Sequence, residues 1–344
     1  MLLDSMSTGD VHSGSCKCGA ITFIATGIPK FFGWCHCWRC RADTSSSGVY
    51  EVTFDTAQFS HNIDINHVDS NKIYTDQFGT NNSCIYYRCR QCDTRVFDNN
   101  RVNNTYSTYP SLFNFARHTT NDAQVKQLPS TWKHTAHIYY SMRLHGIEVD
   151  DGLPHYSTSM SSNIVSVTKS SVPSPTINDD TISTAQCKCG NIQWSVRGNP
   201  IMSQYCHCYR CRVADSAEYR VACVIKSDQF TSNIDTVDTS TYISPLFGEG
   251  YEHLTYWKCI KCDTRCYHRN SKLNTVVVYP SLFTWAIGEH NNTTGVLPLK
   301  WRANAHIFYG SRLGGHDVDD GLIYYTGLCG KEQCDYQGNI IKST

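Results

Sequence analysis

Seven cysteines occur twice in this chain, in the same order and with nearly the same spacing. In the first half they are Cys16, Cys18, Cys35, Cys37, Cys40, Cys89 and Cys92. About 170 residues later they recur as Cys187, Cys189, Cys206, Cys208, Cys211, Cys259 and Cys262. The segment Tyr-Pro-Ser-Leu-Phe at 109–113 and 279–283 keeps a similar offset. The repeat therefore predicts two tandem copies of one domain.

The repeat divides the chain into four parts. We expect the first copy to span residues 1–157 and the second residues 184–328. Residues 158–183, between the copies, are rich in Ser and Thr, include Pro173 and Pro175, and are typical of a flexible linker. A tail, 329–344, adds Cys329 and Cys334, for which the first copy offers no counterpart.

Composition narrows the class of protein. The 344 residues carry 30 Lys and Arg against 30 Asp and Glu, so no excess positive charge points to nucleic acid as a partner. No apolar run approaches the ~20 residues of a membrane helix, and the N-terminus lacks the pattern of a secretory signal. We therefore expect a cytoplasmic protein with no membrane partner. In such a protein 19 cysteines indicate metal ligation rather than disulfides.

The pattern of apolar residues indicates β-structure. Residues 20–25 and 191–196 alternate in polarity and predict strands that follow the first cysteine pair of each copy. Residues 83–88 and 95–97 predict a hairpin closed by Cys89 and Cys92. No long stretch has helical periodicity. We expect each copy to be mainly β, with short helices at best.

The cysteine spacing suggests two kinds of zinc site in each copy. Two short pairs from distant parts of the chain can close a tetrahedral four-cysteine site, which is the structural type. Three cysteines then remain, and three protein ligands with an open fourth position is the catalytic type. Two alternatives stay open: His36 or another residue could complete the second site, or the cysteines could hold an iron–sulfur cluster.

Three motifs together resemble a known family. They are Cys-Lys-Cys-Gly at 16–19, Cys-His-Cys-Trp-Arg-Cys-Arg at 35–41 and Cys-x-x-Cys-Asp-Thr at 89–94, each repeated in the second copy. The combination resembles the glutathione-dependent formaldehyde-activating enzyme family, which also contains centromere protein V. The chain departs from the family at Asp93 and Asp263, where glycine is usual, and in residues 42–48.

The resemblance implies a zinc fold of two or more small β-sheets, with about two zinc ions per domain and four per chain. It implies that structural zinc is held in the two copies by Cys16, Cys18, Cys89 and Cys92, and by Cys187, Cys189, Cys259 and Cys262. It implies that zinc of the catalytic type is held by Cys35, Cys37 and Cys40, and by Cys206, Cys208 and Cys211.

The family's activity joins glutathione and formaldehyde into S-hydroxymethylglutathione. The resemblance thus implies a zinc-dependent carbon–sulfur lyase whose partner is a small-molecule thiol or glutathione adduct. One alternative is a non-catalytic, zinc-folded binding module. Another is a division of labour, with one copy catalytic and the other structural, which the sequence does not favour because both copies keep all seven cysteines. Arg39, Arg41, Arg210 and Arg212 could hold a substrate carboxylate or lie at the surface. His137 and His306 could act as acid–base groups or lie hydrogen-bonded within strands.

Overall fold

The computed structural model describes residues 9–64, 73–78, 83–117, 126–147, 151–166, 173–234, 241–242, 253–287, 295–314 and 319–341. The prediction of a mainly β protein with short helices is confirmed. Within the described residues, no helix is long and apolar enough to span a membrane.

The first copy contains one small and one large sheet. Its strands are β1 Val11–Ser15, β2 Thr22–Thr26, β3 Phe31–Cys35, β4 Val49–Asp55, β5 Phe59–His61, β6 Ile73–Phe78, β7 Cys84–Cys89, β8 Arg95–Asn100, β9 Thr105–Thr108, β10 Lys126–Gln127, β11 Ala136–Ile138 and β12 Leu144–His145. The small sheet has the order β1-β2-β5, and the large one β11-β3-β4-β9-β8-β7-β6. The predicted hairpin is β7–β8, which pairs antiparallel.

The helices of the first copy are short. Among the described residues they are α1 Trp38–Thr44 and single 3-10 turns at Thr56–Gln58, Pro110–Leu112, Asn114–Ala116 and Tyr140–Met142. The α1 helix begins directly after Cys37, whose side chain accepts a hydrogen bond from the Cys40 amide, and it ends at Ser45 in the left-handed region. This capping places the Cys-x-Cys-x-x-Cys motif across a strand end and a helix start.

The second copy repeats this arrangement. Its strands are β13 Ile182–Gln186, β14 Gln193–Arg197, β15 Met202–Cys206, β16 Arg220–Lys226, β17 Phe230–Ser232, β18 Thr241–Tyr242, β19 Leu254–Cys259, β20 Arg265–Asn270, β21 Thr275–Val278, β22 Gly295–Val296, β23 Ala305–Ile307, β24 Leu313–Gly314, β25 Ile323–Tyr325 and β26 Gln333–Cys334. Its helices are α2 Tyr209–Asp215 and α3 Thr284–Ile287, with 3-10 turns at Ser227–Gln229, Pro280–Leu282, Leu299–Trp301 and Tyr309–Ser311.

The large sheet of the second copy extends into the tail. Its order is β18-β19-β20-β21-β16-β15-β23-β25-β26. Strand β26 pairs with β25, with Cys334 opposite Tyr324. Cys334 is buried beside Tyr309 and Tyr324. The tail cysteine therefore packs as a small apolar side chain in the second copy.

Short strands of one copy pair with short strands of the other in a symmetric arrangement. Strand β10 of the first copy pairs with β24 of the second, and β12 pairs with β22. In the repeat, β10 corresponds to β22 and β12 to β24, so the two contacts are related as in a two-fold dimer. The cores also interlock, because Trp38 packs against the second-copy core and Tyr209 against the first-copy core.

Buried ion pairs join the copies at Asp93 and Asp263. Asp93 and Asp263 both have φ of +62°, a conformation in which glycine is common. The Asp93 carboxylate pairs with Lys258 and, at 2.8 Å, with Arg265 of the second copy. Asp263 pairs in turn with Arg88 of the first copy. These aspartates, together with Asp43, which pairs with Lys188, therefore supply negative charges to the inter-copy interface.

Candidate metal centres

The structure brings two cysteine pairs of each copy together. In the first copy, one pair lies in the turn between β1 and β2 and the other in the β7–β8 turn. The Sγ atoms of Cys16, Cys18, Cys89 and Cys92 all lie within 4.8 Å of one another, and so do those of Cys187, Cys189, Cys259 and Cys262. Both groups combine cysteines that are about 70 residues apart in sequence.

The spacing of these sulfurs fits a tetrahedral zinc ion. Sγ of Cys18 lies 3.5 Å from that of Cys16 and 3.6 Å from that of Cys89. With Zn–S bonds of about 2.3 Å, the edge of a tetrahedron is about 3.8 Å. The Ile21 amide donates to Cys16 Sγ at 3.3 Å, which helps to stabilise a thiolate. These four cysteines could therefore hold a structural zinc ion.

The remaining three cysteines of each copy form a separate group. Cys35 ends β3, Cys37 caps α1 and Cys40 lies in its first turn, with their Sγ atoms within 4.8 Å of one another. Cys206, Cys208 and Cys211 form the equivalent group. Among the described residues, no histidine, carboxylate or further cysteine joins either group. Each offers a metal three sulfur ligands.

Protons are shared unequally within the three-cysteine group. Hydrogen bonds from the Cys35 and Cys40 thiols lower the pKa of Cys37 well below its ordinary value. The hydrogen bond between Cys35 and Cys37, together with burial, raises the pKa of Cys35 well above its ordinary value. Because the three thiols are packed together, loss of a proton from one of them makes loss of a proton from the other two less favourable. A cation such as Zn²⁺ would favour release of the other protons.

The histidine within the motif points to a different partner. His36 Nε2 lies 2.9 Å from His137 Nδ1, whose Nε2 lies 2.9 Å from Asp151 Oδ2. The second copy repeats the chain, with His207 at 2.8 Å from His306 and His306 at 3.0 Å from Asp320. The alternative in which His36 completes the three-cysteine site is therefore wrong, because its side chain is engaged elsewhere.

The motif arginines separate into two kinds. Arg41 and Arg212 are fully buried and donate to the carbonyl oxygens of His36 and His207. Burial lowers the pKa of Arg41 to about 10. These two arginines hold the backbone of the motif in place and do not reach the surface. Arg39 is partly exposed and lies over the ring of Tyr86.

A cavity of about 500 Å³ opens on the three cysteines of the first copy. Glu51 of β4 lines it and is 9% exposed; burial raises the pKa of its carboxyl well above the ordinary value. Tyr139 also lines the cavity, and burial followed by the nearby Cys35 raises the pKa of its hydroxyl to about 12. Burial therefore favours the protonated form of Glu51, and the Tyr139 hydroxyl keeps its proton at neutral pH.

The second copy replaces these polar groups by apolar ones. At the positions of Glu51 and Tyr139 it has Ala222 and Phe308, and Val224, Val277 and Leu254 stand where the first copy has Thr53, Ser107 and Cys84. Cys84 lines the first-copy cavity without joining the three-cysteine group. Reasoning from the cysteine motifs missed these residues. Their signal was the difference between the copies at Tyr50-Glu51-Val52 and Val221-Ala222-Cys223.

Comparison with known proteins adds three findings. None of the curated proteins matches the chain. A crystal structure of a Rhodobacter sphaeroides protein aligns with 33% of this chain and 98% of its own, at 14% identity and a TM-score of 0.24. Residues 11–141 and 182–311 each match the glutathione-dependent formaldehyde-activating enzyme family. Since these two regions make up most of the sequence, the chain belongs to that family and carries its domain twice.

Proposed function

We propose that the chain is a zinc-dependent carbon–sulfur lyase and that its reaction takes place at the three-cysteine site of the first copy. The observation that carries the proposal is the cavity of about 500 Å³ directly above Cys35, Cys37 and Cys40. Its volume lies in the range of small-molecule sites in proteins. A thiol of the size of glutathione, or a smaller one, is the substrate class that this cavity and its sulfur-lined floor suit.

The reaction joins a thiol to an aldehyde, or reverses that step. The S–C bond forms, the carbonyl π bond breaks, and the thiol proton ends on the new hydroxyl oxygen. Zinc held by three thiolates would supply a position for the substrate thiolate and keep it nucleophilic. The chain's own groups must then handle the oxygen of the aldehyde.

Glu51 and Tyr139 are suited to that oxygen. Burial favours the protonated carboxyl of Glu51, the Tyr139 hydroxyl is protonated, and both face the cavity, so each can donate a hydrogen bond to a carbonyl or hydroxyl oxygen. Glu51 can pass its proton to the oxygen as the S–C bond forms and take up in exchange the proton that the thiol releases, with both transfers reversed in the opposite direction. Arg39, at the cavity wall, can bind a substrate carboxylate.

The second copy lacks these donors at the equivalent positions. Ala222 and Phe308 offer no proton. Hydrogen bonds from Cys206 and Cys211 lower the pKa of Cys208, and the charge of buried Arg220 adds to this effect. We therefore assign the reaction to the first copy and a structural role to the second.

Turnover can be followed by ¹³C NMR with glutathione and ¹³C-formaldehyde. Zinc-loaded protein should accelerate exchange between free formaldehyde and the hydroxymethyl adduct. Cys37→Ser should abolish this acceleration, and Cys208→Ser should reduce it much less. The core variant Cys223→Ser, outside both cysteine groups, is the control for general damage. Turnover that survives Cys37→Ser contradicts the proposal, and no turnover with any thiol adduct favours the binding-module alternative.

A further inference from the structure

A second cavity lies between the two copies. It has a volume of about 250 Å³ and is lined at matching positions of the repeat by His36 and His207, and by Tyr140 and Tyr309. It shares no lining residue with the cavity above Cys35, Cys37 and Cys40. Neighbouring residues along an extended segment point to opposite faces, so His36 faces this chamber while Cys35 and Cys37 face the other cavity. We call it the inter-copy chamber.

The hydrogen-bond chain behind His36 determines what it presents to the chamber. The Asp151 carboxylate accepts the Leu153 amide at 3.1 Å and lies 2.9 Å from His137 Nε2. An ionised carboxylate can only accept, so His137 carries its proton on Nε2. In this tautomer the Nδ1 of His137 accepts the Nε2 proton of His36. His36 is left with an unprotonated Nδ1, which is a hydrogen-bond acceptor.

The surroundings of this Nδ1 atom differ between the two copies. In the first copy, residue 48 is glycine, and a β-carbon there would lie 3.3 Å from His36 Nδ1. In the second copy the matching residue is Tyr219, whose ring centre lies 5.4 Å from that of His207. His207 Nδ1 is buried, with no hydrogen-bond partner among the described residues. Gly48 thus leaves one acceptor open, and Tyr219 covers the other and forms part of the facing wall.

The remaining walls of the chamber carry aromatic rings, and the charges of their Arg, Asp and Glu side chains cancel. Trp34 stacks on His137 with ring centres 4.7 Å apart, and Tyr205 lies 4.7 Å from Tyr219. The charged lining residues contribute two of each sign: Glu218, Asp320, Arg302 and Arg312. Flat aromatic surfaces suit a planar ring, and balanced charges suit a neutral molecule. An apolar cavity of about 150 Å³ already accommodates benzene, so about 250 Å³ has room for a substituted ring.

A metal ion does not suit the chamber. Among the residues that the structure describes, His36 belongs to no group of three potential ligands with their atoms within 4.8 Å of one another. The group His137, Asp151 and His155 meets that distance, but His137 Nε2 is already occupied by the Asp151 carboxylate. The imidazole rings of His137 and His155 are also stacked, so their lone pairs run nearly parallel and do not converge.

We propose that the inter-copy chamber is a binding site for a small neutral aromatic molecule whose O–H or N–H group donates to His36 Nδ1. The site is separate from the three-cysteine site, so its occupancy does not depend on the proposed lyase activity. It exists only because the two copies face each other, which gives the tandem arrangement a function that one copy lacks.

Phenol is a suitable probe, because it is a neutral ring with one O–H donor. We would titrate it into the ¹⁵N-labelled zinc-loaded protein and follow the histidine ring nitrogens by long-range ¹H–¹⁵N correlation. Free protein should show His36 Nδ1 unprotonated. Phenol should shift this resonance saturably and leave that of His207 Nδ1 unchanged.

Two variants test the location. Gly48→Ala places a methyl group 3.1 Å from the Cys35 carbonyl oxygen and 3.3 Å from His36 Nδ1, and Ile147→Phe fills the chamber from the opposite wall without touching the cysteine motif. Each should weaken phenol binding at least tenfold. Gly327→Ala, whose new β-carbon would meet only a lysine side chain at 3.8 Å, should leave binding unchanged. The proposal is overturned if His36 carries its proton on Nδ1, if phenol shifts no His36 resonance, or if Ile147→Phe binds phenol as the parent does.

Discussion

Replacing Asp93 by asparagine removes one charge from the interface between the copies. The side chain is 1% exposed and pairs with Lys258 and Arg265. Burial alone would raise the pKa of Asp93, but Lys258, Arg265 and Arg88 outweigh it and lower the pKa to about 2. Relative to an unfolded value near 3.8, this corresponds to about 2–3 kcal/mol of stability for the ionised form. That stability is present above pH ~4 and is lost as the pH falls towards 2.

Mutational experience with buried ion pairs gives a similar magnitude. Removing one partner leaves the other charge buried and costs about 3–5 kcal/mol. Lys258 retains Asp263 and Arg265 retains Asp215, so we expect the lower end, about 3 kcal/mol. Asparagine tolerates the left-handed backbone, and the loss can therefore be attributed to charge.

Urea unfolding of the zinc-loaded protein at pH 7 measures this loss. The matched control is Asp55→Asn, which removes the exposed pair with Lys30 and should cost at most about 1 kcal/mol. Asp93→Gly should fall between wild type and Asp93→Asn, because glycine relieves the backbone at φ of +62°. If Asp93→Asn destabilises the chain no more than Asp55→Asn does, the interface does not depend on these charges.

Two further predictions concern the first-copy cavity and the second-copy core. Glu51→Gln should lower kcat about 10²-fold or more with zinc content unchanged, because it removes the proposed proton donor. The control, Ser107→Ala in the same cavity, should have a minor effect on kcat. Equal losses of kcat in the two variants would exclude a special role for Glu51. Trp301→Ala should cost about 3–5 kcal/mol in the free energy of unfolding, because the side chain is 0% exposed. Leu273→Ala, at a residue 67% exposed, should change it by less than about 0.5 kcal/mol; comparable losses would contradict the packing described.

The repeat and the cysteine spacing make much of this molecule predictable from sequence. Cys-x-Cys and Cys-x-x-Cys pairs span short turns, so few geometries can bring them together, and the alternating segments beside them have little choice but to form strands. The family resemblance came from the same short motifs. These features depend on residues that are close together in the sequence, so the pattern of one sequence is enough to predict them.

The contacts between the copies could not be predicted in this way. Asp93 and Asp263 were visible only as departures from glycine, since their partners Lys258, Arg265 and Arg88 lie on another segment and only the folded arrangement joins them. The same applies to His36, whose direction is set by His137 about 100 residues later. Glu51 was visible as a difference between the copies, but its place in the cavity depends on the register of β3 and β4.

The central claim is that each copy holds a four-cysteine and a three-cysteine zinc site, and that the three-cysteine site of the first copy is open to a thiol. Metal content after purification, joined to the absorption spectrum of the cobalt-substituted protein, tests it most directly. About four ions per chain are expected, and added glutathione should change the cobalt spectrum of the parent but not of Cys37→Ser. Two ions per chain, or a spectrum that glutathione leaves unchanged, would contradict the claim.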